Sequence, residues 1–472
     1  MVGRRLTDAQ AIRALRTGIA ICTFTAFACL FRDSPVLMGP LGLDPAARTL
    51  EVVRARAEHP WLALPTLFWW LPTTDVGLRA LSGVGMAGSV SLLLPRLTPF
   101  AAPFLAVLYL SLANAGGSFF TFQWDALIVE TLTLCTLLSS HPGRAARLAF
   151  WALNMKLYLE SGLAKVLWSD DWTSLRAMGN YWQTTPLPTP VAWWFARLPD
   201  VAQSALTAAT LVGECAAPFL MFTGIRGRSA FGVIAIGLQV GILLTGNYGA
   251  FNYLSIALAF ALFWEGTADT PARGMRGVLA HGFVGVWAAL SLSVALSRFA
   301  GIDAPLSTTA ARLRFANAYH LFASIDPERD EVEFIGSDDG ESWSRLPLAY
   351  KPAEAMAFLA PYHPRVAFSA WFWTLGARNS SLGLRVESPS WGSRLVQRWC
   401  ESPEVLTPIL THAVHSPRFV TLEFWRGSFA DDRVGWRMEP LGRYPAVHEC
   451  RDGGAPHFSQ VTELLQVAPA MQ

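Results

Sequence analysis

Long apolar stretches recur through the first 300 residues of the chain and are separated by short polar loops. Each stretch holds about 18 to 24 residues, and about 20 residues at a rise of ~1.5 Å cross the hydrocarbon core of a bilayer. The pattern predicts a polytopic α-helical membrane protein with about nine spans. The predicted spans cover residues 14–31, 76–94, 99–115, 122–139, 146–168, 202–223, 228–245, 249–265 and 277–299.

Arginines occur in alternate loops between these spans, as expected when short cytoplasmic loops are enriched in Lys and Arg. They are Arg4, Arg5, Arg13 and Arg16 at the N-terminus, followed by Arg96, Arg144, Arg147, Arg226, Arg228, Arg273 and Arg276. The intervening short loops, 116–123 and 245–252, carry no charge. The alternation predicts a cytoplasmic N-terminus and a C-terminal tail on the outer side.

The first apolar stretch also has a feature of a signal peptide, because "AFA" before Cys29 matches the small-x-small pattern of a cleavage site. The arginine-bearing head is long, however, and no soluble domain follows directly. We therefore expect a retained helix. The tail lies outside under either interpretation.

After residue 300 the pattern changes to short stretches of alternating polarity. It predicts two strands joined by an Asp339-Gly340 turn, a later strand and two helices. These elements lie within 330–350, 418–429, 366–377 and 393–400. We expect a transmembrane domain over residues 1–300, followed by an extracytoplasmic α+β, β-rich domain over residues 301–472.

Composition supports the membrane interpretation, since only 15% of residues are charged and 52% are hydrophobic. The net charge of +2 gives no basic patch of the kind that binds nucleic acid. The preference for arginine over lysine, with abundant Ala, Gly and Pro, suggests a GC-rich bacterial genome. No nucleophile, metal-binding or P-loop motif is present, so we assign no catalytic residue, metal ligand or cofactor.

Cys400 and Cys450 lie in the tail, where an oxidising compartment would permit a disulfide. Sequence does not show whether the two thiols are close. Two free cysteines fit the spacing equally well.

Six ionisable residues fall inside predicted spans. They are Asp125, Glu130, Lys156, Glu160, Lys165 and Glu214. A charge at the bilayer centre costs at least about 2.5–3.5 kcal/mol, so such residues pair with one another or line a polar cavity. Lys156 and Glu160 share a helix face at i,i+4 spacing, whereas Lys165 lies about 140° further round. Both interpretations remain open: structural ion pairs, or a functional polar core that opens outward.

Polar residues at the outer membrane edge form a second candidate set. Asn247 and Asn252 flank a turn with two glycines, where their amides could anchor a loop or bind a substrate. Anchoring is the more economical interpretation. "GVGMAG" at 83–88 matches a nucleotide-binding pattern but follows no strand, so we interpret it as a small-residue packing face.

Several motifs, in order along both parts of the chain, resemble the lipase maturation factors. In the membrane part they are "FQWDALIVE" (122–130), with Gln123 and Trp124, "SGLAKVLWSDDW" (161–172), with Trp172, "PLPTP" (186–190), beginning at Pro186, "GECAAPFLMF" (213–222) and "GNYGAFNYL" (246–254). In the tail they are "EFIGSDDGESW" (333–343), "YKP" (350–352), "APYHPR" (360–365) and "WFWTLG" (371–376). Gln183 and Ala367 stand where the family tends to have acidic residues.

The resemblance implies a membrane-bound folding factor that helps secreted lipases reach their active form. Eukaryotic members lie in the endoplasmic reticulum membrane, with the C-terminal domain in the lumen. The bacterial equivalent is the inner membrane with a periplasmic tail. The implied partners are the lipid bilayer and an exported client protein such as a lipase.

A second function stays open. The membrane part is more loosely similar to vitamin K-dependent carboxylase-like membrane domains, which implies a membrane enzyme with Lys165 as its base. In the folding-factor interpretation the charged residues are scaffold; in the enzyme interpretation they are the active site.

Overall fold

The computed structural model describes residues 6–266, 274–302, 306–351, 363–378 and 389–452, with single positions 304, 356, 456 and 458. Arg4, Arg5 and Arg273 of the topology prediction lie outside the described residues, as do residues 360–362 of the "APYHPR" motif. The chain is mostly helical and carries a small C-terminal sheet.

Eleven α-helices cover the chain up to residue 211. They are α1 (Asp8–Met38), α2 (Ala46–Arg56), α3 (Pro60–Ala63), α4 (Asp75–Ser91), α5 (Thr98–Ala115), α6 (Gln123–Cys135), α7 (Arg144–Trp168), α8 (Asp170–Thr173), α9 (Ala177–Thr184), α10 (Pro190–Phe195) and α11 (Asp200–Leu211). A π-helical segment (Val212–Ala216) and a 3-10 segment (Ala217–Thr223) then lead into α12.

The remaining elements complete the bundle and build the tail. They are α12 (Gly224–Thr245), α13 (Ala250–Ala259), α14 (Met275–Ala300), α15 (Ser307–Leu313), β1 (Arg329–Ser337), β2 (Ser344–Arg345), α16 (Arg365–Arg378), α17 (Ser390–Glu401), β3 (Phe419–Phe429), β4 (Trp436–Arg443) and β5 (His448–Glu449). Each of the nine predicted spans overlaps helical residues, some of them only in part.

Within the described residues, four helical stretches are long and apolar enough to cross a membrane. They are Asp8–Met38, Thr98–Ala115, Asp200–Thr245 and Met275–Ala300. Helix α7 has the length for a span but carries five charged residues, and α4 and α6 are shorter than 18 residues. The chain is an integral membrane protein by these helices.

Helix α1 packs against α4 and α13. Close packing depends on the small residues of "GVGMAG", because a Cβ on Gly85 would lie 2.3 Å from the ring of Phe27. This contact agrees with the packing interpretation of that motif. The motif lies inside α4 and does not follow a strand, unlike a nucleotide-binding loop.

The helical bundle has two distinct ends. At one, which we call the basic end, the Asp8 carboxylate accepts hydrogen bonds from the amides of Glu265 and Gly266, and Arg147 donates to the Glu265 carbonyl. Arg16 donates to the Ser139 carbonyl at 3.1 Å near the same end. At the other, the tail end, residues 314–322 and α16 pack on the bundle.

The tail sheet is antiparallel, with strand order β2-β1-β3-β4, and β5 pairs with β3. Val332 lies opposite Phe424 and Phe334 opposite Leu422, and all four side chains are buried. The strand-turn-strand prediction and the strand near 418–429 are confirmed, as are both predicted tail helices. Strand β4 was not predicted.

Candidate functional site

Helix α7 carries three of the six predicted intramembrane charges, and it forms because residues 144–168 contain no proline and many strong helix formers. Gly162 allows the π-helical segment to approach α7. A Cβ there would lie 2.5 Å from the sulfur of Cys215 and 3.0 Å from Cβ of Glu214. This close approach places the Glu214 carboxylate next to the Lys165 ammonium.

The first charged cluster centres on Glu130, which is fully buried. Lys156 Nζ lies 2.7 Å from its Oε1, and Trp287 Nε1 donates to the same oxygen at 2.9 Å. Tyr319 and Asn317 donate to Oε2 at 2.6 and 2.9 Å. With four donors on one carboxylate, this cluster has the saturated geometry of a structural ion pair.

Glu160 does not form the ion pair that its i,i+4 spacing to Lys156 suggests. Its Oε2 accepts the backbone N–H of Tyr319 at 2.8 Å. The Lys156 ammonium instead reaches Glu130 and Ser291. Glu160 therefore ties α7 to the segment that leads into the tail.

The second cluster contains Lys165 and Glu214. Lys165 Nζ lies 2.7 Å from Oε2 of Glu214 and 2.7 Å from the carbonyl of Leu321, and 5.1 Å from the centroid of the Trp172 ring. The cation is therefore held by a carboxylate, a carbonyl dipole and an aromatic face.

A cavity of about 770 Å³ borders this second cluster. Lys165 and Glu214 line it together with Tyr158, Gln239 and Asn252. Asn252 Nδ2 donates to Gln239 Oε1 at 2.6 Å, and Gln239 Nε2 donates to the Tyr158 hydroxyl at 3.2 Å. Lys156 and Glu130 do not line the cavity, so the two lysines of α7 lie in different environments.

Asp125 requires a correction, because it pairs with neither α7 lysine. Both of its oxygens accept from Arg365 of the tail, at 2.7 and 2.8 Å, and the Tyr109 hydroxyl donates to Oδ1 at 2.6 Å. Arg365 also donates to the carbonyl of Phe119 at 2.7 Å. The bidentate geometry fixes the tail to the start of α6, so Asp125 pairs with the tail and not with another intramembrane charge.

The remaining predicted edge residues mostly hold the tail end together. Gln123 Oε1 accepts from the amide of His320 at 3.0 Å, and Trp172 Nε1 donates to the carbonyl of Phe322 at 2.9 Å. The Trp124 ring stacks on that of His363 at 5.0 Å. The tail therefore contacts Gln123, Trp124 and Trp172, which are among the candidate edge residues.

The loop at 185–189 is anchored from two sides. The carbonyl of Pro186 accepts from Arg329 Nη2 at 2.9 Å, and Arg329 also donates to the carbonyl of Thr185. The amide of Asn247 donates to the carbonyl of Leu187 at 3.0 Å. Asn247 is therefore a loop anchor, whereas Asn252 lines the cavity.

One face of β1 holds charges that the sequence did not single out. Arg329 lies 2.7 Å from Glu331, and Lys351 lies 3.3 Å from Glu331 and 3.0 Å from Glu333. Burial raises the pKa of Glu333, and the Lys351 ammonium opposes that rise. All three lysines of the chain are thus in buried ion pairs.

Cysteine and histidine positions add structural contacts. Cys400 and Cys450 form a disulfide, which joins α17 to the segment after β5. His415 Nε2 lies 3.0 Å from Asp338, as suits an ordinary polar residue. No group of three or more His, Cys, Asp or Glu in the described part of the chain is arranged to hold a metal ion.

Sequence reasoning missed Arg365, Tyr319 and Arg329. The signal for Arg365 was its place in the "APYHPR" motif, in a chain whose buried Asp125 has no cation nearby in sequence. Tyr319 and Arg329 lie in stretches with no apolar periodicity, and no signal singled them out.

The long apolar helices make this chain an integral membrane protein. Its bundle contains buried ion pairs, and its tail carries a small sheet. Residues 11–270 match the family model described as the lipase maturation factor transmembrane domain. The chain belongs to the lipase maturation factor family.

Relatives support this assignment along most of the chain. Lipase maturation factor 2 of Rattus norvegicus is 28% identical over 84% of this chain and 76% of its own length. Lipase maturation factor 1 of Bos taurus is 28% identical over 78% of this chain and 75% of its length, and that of Homo sapiens is 26% identical over 91% and 84%. No solved structure matches the chain. The carboxylase-like alternative finds no support in these comparisons.

Proposed function

We propose that this chain is a membrane-bound maturation factor that assists the folding of an exported client protein, with a secreted lipase as the first candidate client. The observation that carries the proposal is the match of residues 11–270 to the lipase maturation factor transmembrane domain. Relatives named lipase maturation factor 1 and 2 extend the similarity into the tail.

The proposed topology has nine spans, a cytoplasmic N-terminus and an outer tail, in a bacterial inner membrane. The two ends of the bundle support it. Asp8, Ser139, Arg147 and Glu265 meet at the basic end, and the tail packs on the opposite end. Arginine-rich loops favour the cytoplasmic side. Residues 1–300 would then form the membrane domain and 301–472 the outer domain.

In this function the intramembrane charges serve as scaffold. Glu130 and Asp125 are each saturated by donors from distant elements, and Glu160 and Lys165 both bond backbone groups of residues 319–321. These contacts hold the tail in one position on the bundle. A fixed tail and the loop at 185–189 would present one surface to a client.

The proposal is tested by deleting the gene in its own organism and measuring lipase and esterase activity per mass of secreted enzyme. A folding defect lowers this specific activity or the secreted amount, and restoring the gene recovers it. Arg365→Met, which releases the tail, should fail to restore activity. Arg418→Met is the matched control, because its ion pair with Glu449 is exposed.

Secreted lipases with unchanged amount and specific activity in the deletion strain would overturn the lipase assignment. The topology is tested separately by reporter fusions. A periplasm-active reporter after residue 451 should be active, and the same reporter in the loop at Arg226 should be inactive.

A further inference from the structure

The cavity beside Lys165 has the size and lining of a ligand site. Its volume of about 770 Å³ falls within the ~300–1,000 Å³ range of small-molecule pockets. Aromatic and aliphatic side chains make up most of its wall, among them Phe122, Phe251 and Phe368. Such a wall suits an apolar ligand, with a few polar groups to orient it.

The cavity extends to the exposed faces of two membrane-span helices. Ala209 of α11 and Gly237 and Gly241 of α12 line the cavity and are exposed. Apart from the neighbouring residues and backbone of α12 itself, no described atom lies within 4 Å of a Cβ built on either glycine. Helix α12 packs on the 3-10 segment Ala217–Thr223, which follows α11 and its π-helical extension. Both helices belong to the stretch Asp200–Thr245, which is long and apolar enough to cross a membrane, so this side of the cavity lies on a surface suited to face lipid.

The polar wall has hydrogen-bonding groups without partners. Asn252 is 2% exposed and Trp124 is 4% exposed, and both line the cavity. Asn252 Oδ1 and Trp124 Nε1 have no hydrogen-bond partner among the described residues. A buried polar atom left without a partner costs about 1–3 kcal/mol, so a ligand that supplies one gains that energy.

Charge at the rim favours an anion. Arg298 lines the cavity, is exposed and stacks on Trp168 at 4.6 Å, and no carboxylate of the described residues forms an ion pair with it. Glu214 is the one carboxylate among the lining residues, and it is paired with Lys165. The wall therefore carries one more cation than anion.

We propose that this cavity binds an acyl chain with an anionic head group, which arrives from the bilayer between α11 and α12. The chain occupies the aromatic part of the cavity, and the head group lies near Arg298. A free fatty acid and one chain of an anionic phospholipid share this chemistry. The inference is independent of the client, so its failure leaves the maturation role untouched.

The test uses the full chain in phosphatidylcholine nanodiscs and a photoreactive diazirine analogue of palmitic acid. We expect crosslinks to map to lining segments of α11, α12 and residues 320–324. Competition with oleate and with dioleoylphosphatidylglycerol separates the two sources. Stronger displacement by oleate identifies the fatty acid, and stronger displacement by the phospholipid identifies the lipid chain.

Variants make the test specific. Gly241→Trp places an indole at the proposed entry and should reduce labelling about tenfold, since one added group in an apolar pocket changes binding by ~10- to 200-fold. Gly282→Trp is the matched control, because Gly282 is an exposed glycine of α14 that also meets no described atom and does not line the cavity. It should label like the parent protein.

Arg298→Gln should reduce the preference for the acid over the matching fatty alcohol by about two- to fivefold, the range for an exposed charge contact. Labelling around Gly282 of α14 equal to that of α12, or labelling unchanged by Gly241→Trp in a protein that elutes as the parent does, would overturn the proposal.

Discussion

The two lysines of α7 differ in what surrounds them, although they lie nine positions apart on one helix. Lys156 joins a carboxylate that already accepts three further hydrogen bonds, in packed surroundings. Lys165 joins a carboxylate on the wall of a cavity. An intramembrane charge therefore does not by itself indicate a functional site. The space beside the pair distinguishes the two.

The largest expected effect comes from Lys156→Met. It leaves Glu130 buried without its cation, and breaking a buried pair in this way costs about 3–5 kcal/mol. Thermal unfolding in detergent should show a strongly destabilised protein. The double variant Lys156→Met with Glu130→Gln should recover part of the loss. A single variant as stable as the parent would show that this cluster does not hold the bundle.

Arg365→Met should lower the free energy of unfolding by about 3 kcal/mol, because Asp125 would lose its bidentate partner while remaining buried. The loss concerns the contact between tail and bundle, so limited proteolysis should release the tail before the helices are cut. Arg418→Met should lower the free energy of unfolding by less than about 1 kcal/mol, because its ion pair is exposed. Equal proteolysis of both variants would argue against Arg365 as the attachment.

Lys165→Met should lower the free energy of unfolding by about 1–2 kcal/mol, less than Lys156→Met, since the cavity beside Glu214 leaves room for water at the carboxylate. Client maturation should persist if the pair is scaffold. The measurement is secreted lipase specific activity, normalised to the amount of variant in the membrane. Complete loss of activity at normal abundance would contradict the scaffold role and redirect attention to chemistry at Lys165.

Near neutral pH the smallest effect concerns His363. Burial and the Arg365 charge lower the pKa of its ring to about 3. Its Nε2 accepts the amide of Ala250 at 2.9 Å, which requires the neutral ring. Below an unfolded pKa of about 6.5 the unfolded chain binds the proton first, so the free energy of unfolding falls as pH drops. Near pH 5.5 the loss is about 1 kcal/mol.

The His363→Gln variant should show a flatter pH dependence between about pH 6.5 and 4, because its side chain does not titrate. Unfolding midpoints of the two proteins across this pH range provide the measurement. Parallel pH profiles would show that other groups dominate in this range.

The helices were predictable because each apolar stretch is long and bounded by charged or turn residues. The span predicted at 277–299 differs from α14 by only two residues at one end and one at the other. Strand β4 was not predictable in the same way. Its sequence contains Pro440 and Gly442 and lacks a clear alternation, and its pairing with β3 includes an irregularity at Phe424.

The site was only partly predictable, since sequence identifies which charges are costly but not their partners. The pairing of Lys165 with Glu214 depends on a π-helical turn and on the missing side chain of Gly162. The pairing of Asp125 depends on a residue in the tail. The cavity is lined by residues from helices far apart in sequence and from residues 320–324, an arrangement that no local pattern encodes.

The distance along the chain from Asp125 to Arg365 sets an order of events during biogenesis. The two residues are 240 positions apart. At ~5–20 residues per second, the ribosome needs about 12–48 s to reach the arginine after the aspartate. Throughout that interval α6 carries an acid without its partner, and the arginine must first be exported if the proposed topology holds. The ion pair between α6 and the tail therefore forms late, and the membrane part is fully assembled only after Arg365 has been synthesised.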